Sequence, residues 1–391
     1  MGIAKAVAEQ IAGSSWIRRM FEEAESLRRE GGDVHDFTLG NPRIDPPARF
    51  TEVLIEVARS EVPGKHGYMA NAGLAEAREA AASYLSREQG VAMEARHVIM
   101  TCGAAGAMNV ALKAVLNPGD EVLASAPYFV EYGAYAANHG GTLVPVPARE
   151  GFDLDVEALA RAVSPRTAAV LLNSPNNPTG RVYPEATIRA LGAMLESRSR
   201  EVGRPILLIS DEPYRKLVYD GVTVPSVMNA YANSVILTSY SKDLSIPGER
   251  IGLAAVHPEA EGCDELIGAL SLCNRTLGYV NAPVLMQRVV ARLQGESVDI
   301  GIYQRNRDLL YQGLVERGYE LQRPEGAFYL FPRAPGGDDL GFVGALRRER
   351  VLAVPSSGFG IKGYFRLAYC VEPETIPRAL PAFERAIAPY R

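Results

Sequence analysis

Leu237-Thr238-Ser239-Tyr240-Ser241-Lys242 runs on into Asp243-Leu244-Ser245-Ile246-Pro247-Gly248-Glu249-Arg250-Ile251-Gly252. The preceding residues, Ser234 to Thr238, are apolar and partly β-branched, so they read as a strand. That strand ends in hydroxyls and a lysine. A Gly-Glu-Arg turn then leads into a second apolar run. A lysine in this setting has the parts to hold a phosphorylated aldehyde. Its amine would form a Schiff base, and the hydroxyls and guanidinium would bind the phosphate. Taken alone, a lysine leaving a strand is usually a solvated surface residue. The rest of the chain decides between the two.

Composition sets the frame. The 391 residues suffice for two domains and a large core. Apolar residues make up 47% and charged residues 22%, as in soluble globular enzymes. A net charge of −5 without a basic run argues against nucleic acid or an anionic membrane as partner. Cys102, Cys263, Cys273 and Cys370 are scattered without metal-ligand spacing, which fits a reducing cytosol. No His-Glu-x-x-His or paired-Cys signature occurs, so no metal is expected. The start, Met1-Gly2-Ile3-Ala4-Lys5-Ala6, lacks the apolar core of a signal peptide, and Ala6 stands where a myristoylation motif needs Ser or Thr. The longest apolar runs, such as Ala168 to Leu172, have strand length rather than membrane-spanning length. A cytoplasmic location is expected.

Outward from the opening stretch, strands and helices alternate. Strands are expected at His97–Thr101, Glu121–Ser125, Gly141–Pro145, Thr167–Leu172, Ile206–Ser210, Val235–Thr238 and Ile251–Val256. Helices are expected at Ala105–Leu116, Phe129–Asn138, Asp155–Val163 and Glu185–Glu196. The alternation predicts an α/β fold: a mostly parallel sheet with helices on both faces. Upstream, residues 3–30 carry Ile17, Met20, Phe21 and Leu27 at helical spacing, and helices are expected near Phe50–Ser60 and Leu74–Ser86. Downstream, Arg288–Arg317 reads as largely helical. Strand-like pieces follow at 326–331, 351–354 and 364–368, then a helix at Pro377–Ala388. We therefore expect a large domain at 47–285 and a smaller α+β domain at 286–391, with residues 1–46 packing against the small one.

Parallel sheets of this kind bind ligands beyond the C-terminal ends of their strands. There the polar residues collect. Gly103, Ala104 and Ala105 open a helix with small side chains, so its backbone N–H groups are open to a phosphate; a plain tight turn is the alternative. Phe129 follows the next strand and could stack on a planar ring, or simply pack in the core. Asn173 to Gly180 is a turn-residue stretch longer than a turn requires. Asp211 follows four buried aliphatics. It needs a cationic partner such as a pyridinium N–H, unless it caps a helix. An aromatic, an amide, an acid, a lysine and phosphate ligands on one rim are the parts that pyridoxal 5'-phosphate requires.

With those residues assembled, the chain resembles the class I/II, fold type I aminotransferases. The resemblance rests on Asn176-Asn177-Pro178-Thr179-Gly180, Ser210-Asp211-Glu212-Pro213-Tyr214, Ser239-Tyr240-Ser241-Lys242 and Gly248-Glu249-Arg250-Ile251-Gly252, in that order, and spans Leu39 to Arg366. It implies that Lys242 is the Schiff-base lysine and proton carrier and that Asp211 pairs with the ring nitrogen. Asn177 and Tyr214 would bond the ring oxygen, and Phe129 would stack on the ring. Gly103, Ala104, Ala105, Ser239, Ser241 and Arg250 would form the phosphate site. Arg366 would take the substrate α-carboxylate as a bidentate arginine can, with Gly40 and Asn177 beside it. Tyr68 would reach the phosphate of a second subunit, so a homodimer is implied. The implied reaction is ping-pong transfer of an amino group from an L-amino acid to a 2-oxo acid. Arg275, if it bound a distal carboxylate, would favour aspartate or glutamate.

Two departures stand out. Phe129 occupies a position often held by tryptophan, and Pro355-Ser356-Ser357-Gly358-Phe359-Gly360 differs from the commoner Pro-Gly-Ser-x-Phe-Gly. Two rival readings share the cofactor. One is a β-eliminating C–S lyase on the same scaffold. The other is a non-catalytic regulator, which the missing basic DNA-binding segment disfavours.

Overall fold

The computed structural model describes residues 2–12 and 33–391. Its strands are β1 (His35–Asp36), β2 (Val98–Thr101), β3 (Glu121–Ala126), β4 (Thr142–Pro147), β5 (Thr167–Asn173), β6 (Leu207–Asp211), β7 (Ser234–Ser239), β8 (Gly252–Val256), β9 (Tyr329–Leu330), β10 (Val351–Leu352), β11 (Val354–Pro355) and β12 (Phe365–Ala368). Seven of them form one sheet in the order β2-β8-β7-β6-β5-β3-β4. The pairs β4–β3, β3–β5, β5–β6 and β6–β7 are parallel, while β8 is antiparallel to both β7 and β2. The α/β expectation holds, with β8 as its one reversed strand. The loop from β7 to β8 carries only the 3₁₀ turn Pro247–Glu249. Without a crossover helix the chain can only return antiparallel, and both loop ends stay on one rim.

Alternation along the strands explains the two helical layers. Val170, Leu172, Leu208, Ile236, Leu253 and Ala255 face one core, packed with the helices Ala75–Gln89, Glu185–Val202 and Val284–Ala291. Ala169, Leu171, Ile209, Val235, Leu237 and Ala254 face the other, packed with Gly103–Val115 and Cys263–Thr276. Each buried aliphatic side chain stabilises the fold by roughly 1.5–3 kcal/mol before entropy is charged against it. Register then fixes the polar rim. Asn173 lies opposite Asp211, Asp211 opposite Leu237, and Gly252 opposite both Ser239 and Thr101.

A third core joins Phe37, Phe328, Phe342, Phe365 and Phe383 with Leu310 and Leu314. Around it lie the sheet β11-β12-β9, the pair β1–β10 and the helices Ile300–Glu316, Asp339–Arg348 and Thr375–Ile387. Tyr214, Leu217 and Tyr219 join the same core from beyond β6.

Several expected boundaries move. The helix expected from Phe129 begins at Tyr132, because Phe129 lies in a turn whose carbonyl accepts from the Tyr132 N–H at 3.1 Å. The stretch Arg288–Arg317 is two helices. Gly295, at φ +88°, turns the chain between them, and Asp299 caps the second by accepting from the Gly301 N–H at 2.9 Å. The helix Asp339–Arg348 was not expected; its cap is Asp338, which accepts from the Gly341 N–H at 2.9 Å. At the N-terminus the helix Lys5–Ala12 is present, whereas Ile17, Met20, Phe21 and Leu27 lie outside the described residues. No helix among the described residues is long and apolar enough to cross a membrane.

Candidate active site

The ends of β5, β6 and β7 and the start of the helix Gly103–Val115 surround a cavity of about 360 Å³. Gly40, Ala104, Ala105, Phe129, Asn177, Asp211, Tyr214, Ser239, Ser241, Lys242, Arg250 and Arg366 all line it. Twelve of the fifteen residues singled out from sequence therefore meet in one place. Gly103 lies just beneath the surface. Its φ is +72°, and a Cβ there would stand 2.7 Å from Nη2 of Arg250. Glycine lets that guanidinium settle over the helix start, where N–H groups and positive charge together suit an anion. Arg250 is itself left-handed at φ +52°, and its Nη1 donates to the Pro247 carbonyl at 2.9 Å.

Asp211 ends β6 and does not cap a helix. The Asn173 amide donates to its main-chain oxygen at 2.8 Å, and the Tyr132 hydroxyl donates to its Oδ2 at 2.6 Å. Oδ1 is buried without a partner. Burial pushes the carboxyl up to about 6, because an ion there has little water to solvate it. A cationic N–H donor would complete both its charge and its hydrogen bonding. Asn173 also accepts from the Asn177 N–H at 2.7 Å, and Asn176 accepts from the N–H and hydroxyl of Thr179. These bonds fix the loop that presents Asn177.

Lys242 donates from Nζ to the Gly40 carbonyl at 2.7 Å. Burial, with the charges of Arg366 and Arg250 nearby, pushes its ammonium down to about 8. Arg366 is 2% exposed. It donates from Nη1 to Asn177 Oδ1 at 2.9 Å and from Nη2 to the Thr38 carbonyl at 2.7 Å, while its Nε lacks a partner. The rings of Tyr329 and Phe359 hold the guanidinium at 4.6 and 4.9 Å from their centroids. Phe359 is carried by the departing loop, where Ser357 N–H donates to Asp339 Oδ2 at 2.7 Å and Ser356 Oγ accepts from the Tyr364 N–H at 2.9 Å.

Tyr68 and Arg275 stand apart. Tyr68 is 93% exposed and outside this cavity, and Arg275 is exposed on the last turn of its helix. Sequence reading missed Tyr132 and Tyr329. Tyr132 has no motif of its own; its spacing from Phe129 was the one available signal. Tyr329 lay inside a quoted strand-like stretch, and its hydroxyl pairs with that of Tyr214 at 2.9 Å. Among the described residues no group of three or more His, Cys, Asp or Glu is placed to hold a metal.

Comparison with known proteins extends over the whole arrangement. The family described as aminotransferase class I and II matches residues 32–383. An aspartate/prephenate aminotransferase of Thermus thermophilus is 32% identical over 378 residues, covering 93% of this chain and 94% of the relative. An aromatic-amino-acid aminotransferase of Thermococcus litoralis is 29% identical over 398 residues, covering 97% of each. The crystal structure of an aminotransferase from Eubacterium rectale superposes with a TM-score of 0.96 at 40% identity, covering 100% of both chains.

Proposed function

The chain belongs to the class I and II aminotransferases, and on that premise we propose that Lys242, Asp211 and Arg366 carry amino-group transfer with pyridoxal 5'-phosphate as cofactor. The supporting observation is the pairing, across one cavity, of a half-buried lysine with a buried carboxylate oxygen that lacks a donor. The residues fit the cofactor. Asp211 Oδ1 would accept from its ring nitrogen, Asn177 and Tyr214 would bond its ring oxygen, and Phe129 would lie against its face. The start of the helix Gly103–Val115 would hold the phosphate together with Ser239, Ser241 and Arg250. Bound there, the cofactor supplies an aldehyde that condenses with amines and a ring that accepts electrons from the substrate Cα.

The chain's own groups do the rest. With its pKa near 8, part of Lys242 is neutral at neutral pH and free to act as a nucleophile. Once a substrate amine takes its place, the displaced Lys242 amine would hold and move the Cα proton. Arg366 keeps three N–H groups beyond its two bonds to the protein, enough for a bidentate carboxylate. Tyr214, Tyr329 and Phe359 are buried around it and exclude water. Substrates are an amino acid and a 2-oxo acid. The expectation that Arg275 binds a distal carboxylate gains no support within one chain, since Arg275 lies outside the cavity; a second subunit would have to supply it.

A homodimer is part of the proposal: Tyr68 lies outside its own chain's cavity and is 93% exposed, so it is placed to serve a second subunit's site. Packing of residues before 46 against the small domain is supported by the pairing of β1 with β10 and by Phe37 within the third core, whereas Met286, Val289 and Val290 join the first core, so the large domain runs past residue 285. The test is spectral. Purified protein should bind pyridoxal 5'-phosphate with a visible absorbance band that an amino donor bleaches and a 2-oxo acid restores. Lys242→Ala should lose the band and at least a thousandfold in turnover; normal turnover in that variant sinks the assignment. Release of pyruvate and ammonia from cysteine without added oxo acid would favour the lyase instead.

A further inference from the structure

Tyr329 touches three parts of the site at once. Its hydroxyl lies 2.9 Å from that of Tyr214. Its ring carries the Arg366 guanidinium at 4.6 Å from the centroid. Its hydroxyl also packs so closely on Gly40 that a Cβ there would come within 2.0 Å of it, and the Gly40 carbonyl is the acceptor for Lys242. Tyr329 lines the cavity yet is only 2% exposed, so these contacts cover nearly all of its surface.

We propose that Tyr329 is a positioning residue for amino transfer, tying the arginine that receives the substrate carboxylate to the phenol that bonds the ring oxygen. The inference rests on the roles proposed above for Arg366 and Tyr214. Arg366 then has two lines to that oxygen. One runs through its bond to Asn177 Oδ1. The other runs through the Tyr329 ring and the hydroxyl pair. Tyr214 needs its own proton for the ring oxygen, so Tyr329 is the donor within the pair. A phenol that accepts one hydrogen bond gives a stronger one, because polarisation passes along the chain. A stronger bond to the ring oxygen draws electron density from it and lowers the proton affinity of the lysine-linked nitrogen nearby. The aromatic ring holds the arginine in plane by cation–π attraction, a task any aromatic can perform. The hydroxyl is what makes tyrosine necessary.

Tyr329→Phe keeps the ring and removes the hydroxyl. Phe359→Leu removes the opposite ring and leaves the hydroxyl pair intact. Both are loaded with pyridoxal 5'-phosphate, and the visible band is titrated against pH. The band of Tyr329→Phe should titrate roughly half a pH unit above wild type, with kcat reduced several-fold and KM changed less. Phe359→Leu should titrate as wild type, with KM for the amino donor raised several-fold. A Tyr329→Phe midpoint that coincides with wild type overturns the inference, and so does an equal shift in Phe359→Leu. A wild-type chain that forms no band overturns the reading of Lys242 and this inference with it. A normal wild-type band beside an unmoved variant overturns this inference alone.

Discussion

Asp211→Asn exchanges stability against cofactor binding in a way that pH can read. In the wild-type chain burial raises this carboxyl from 3.8 to about 6. Two pH units correspond to about 3 kcal/mol. The folded chain holds the proton more tightly than the unfolded chain, so Asp211 favours folding below its unfolded pKa. That advantage is lost as pH rises through about 6. Asparagine carries no such proton. In cofactor-free protein, the urea-unfolding free energy of Asp211→Asn should therefore gain about 2.4 kcal/mol on wild type between about pH 4 and about pH 7, most of the full difference. The change with pH is the quantity to compare, because the buried asparagine N–H groups add a pH-independent penalty. With pyridoxal 5'-phosphate bound, the ranking should reverse. A pyridinium N–H offsets the buried carboxylate and gains nothing from the amide, so the variant should bind the cofactor at least tenfold more weakly. Parallel stability curves for the two proteins across this window would refute the reasoning about burial. Equal cofactor affinities would refute the pairing with the ring nitrogen.

Two further outcomes are expected. Gly40→Ala would place a Cβ 2.0 Å from Tyr329 Oη and 3.0 Å from Phe328 Cε2, so buried side chains must shift. The cost should be about 1–3 kcal/mol, read as a lower urea midpoint, and an unchanged midpoint would contradict the packing described. If Tyr68 serves the partner's site, mixing Lys242→Ala chains with Tyr68→Ala chains should recover cofactor affinity above either parent. The hybrid contains one site with Lys242 from one chain and Tyr68 from the other. Size-exclusion chromatography with light scattering should show the dimer, and a monomer would remove the basis for this experiment.

Much of the site was legible because strand-end chemistry is local. Asp211 after four aliphatics and Lys242 after a β-branched strand each stand out within a few residues of sequence, and the parallel sheet gathers such ends on one rim. The reversal of β8 depends on what the loop after Lys242 lacks, which is hard to see in a run of residues. Tyr132 was missed because its role is defined by a neighbour 79 positions away. Tyr329 was hidden for the opposite reason. In an aromatic-rich strand, alternation assigns it to the core, which it does join, and nothing in the period marks the hydroxyl. The helix Asp339–Arg348 follows Gly336-Gly337-Asp338, where turn residues mask the cap that begins it.

Thr38 and Gly40 each lend a main-chain carbonyl to a cation of the site, the first to the buried Arg366 and the second to the half-buried Lys242. Both belong to the short segment that follows β1, itself paired with β10. These oxygens act as placeholders. Each cation has an acceptor within its own chain; a ligand at Lys242 must replace that bond, whereas Arg366 can keep Thr38 and add a carboxylate through its remaining N–H groups. At Lys242, affinity is then set by a difference between two bonds, one of them made within the chain. Occupancy of the cavity is thereby coupled to the position of three residues near the start of the fold.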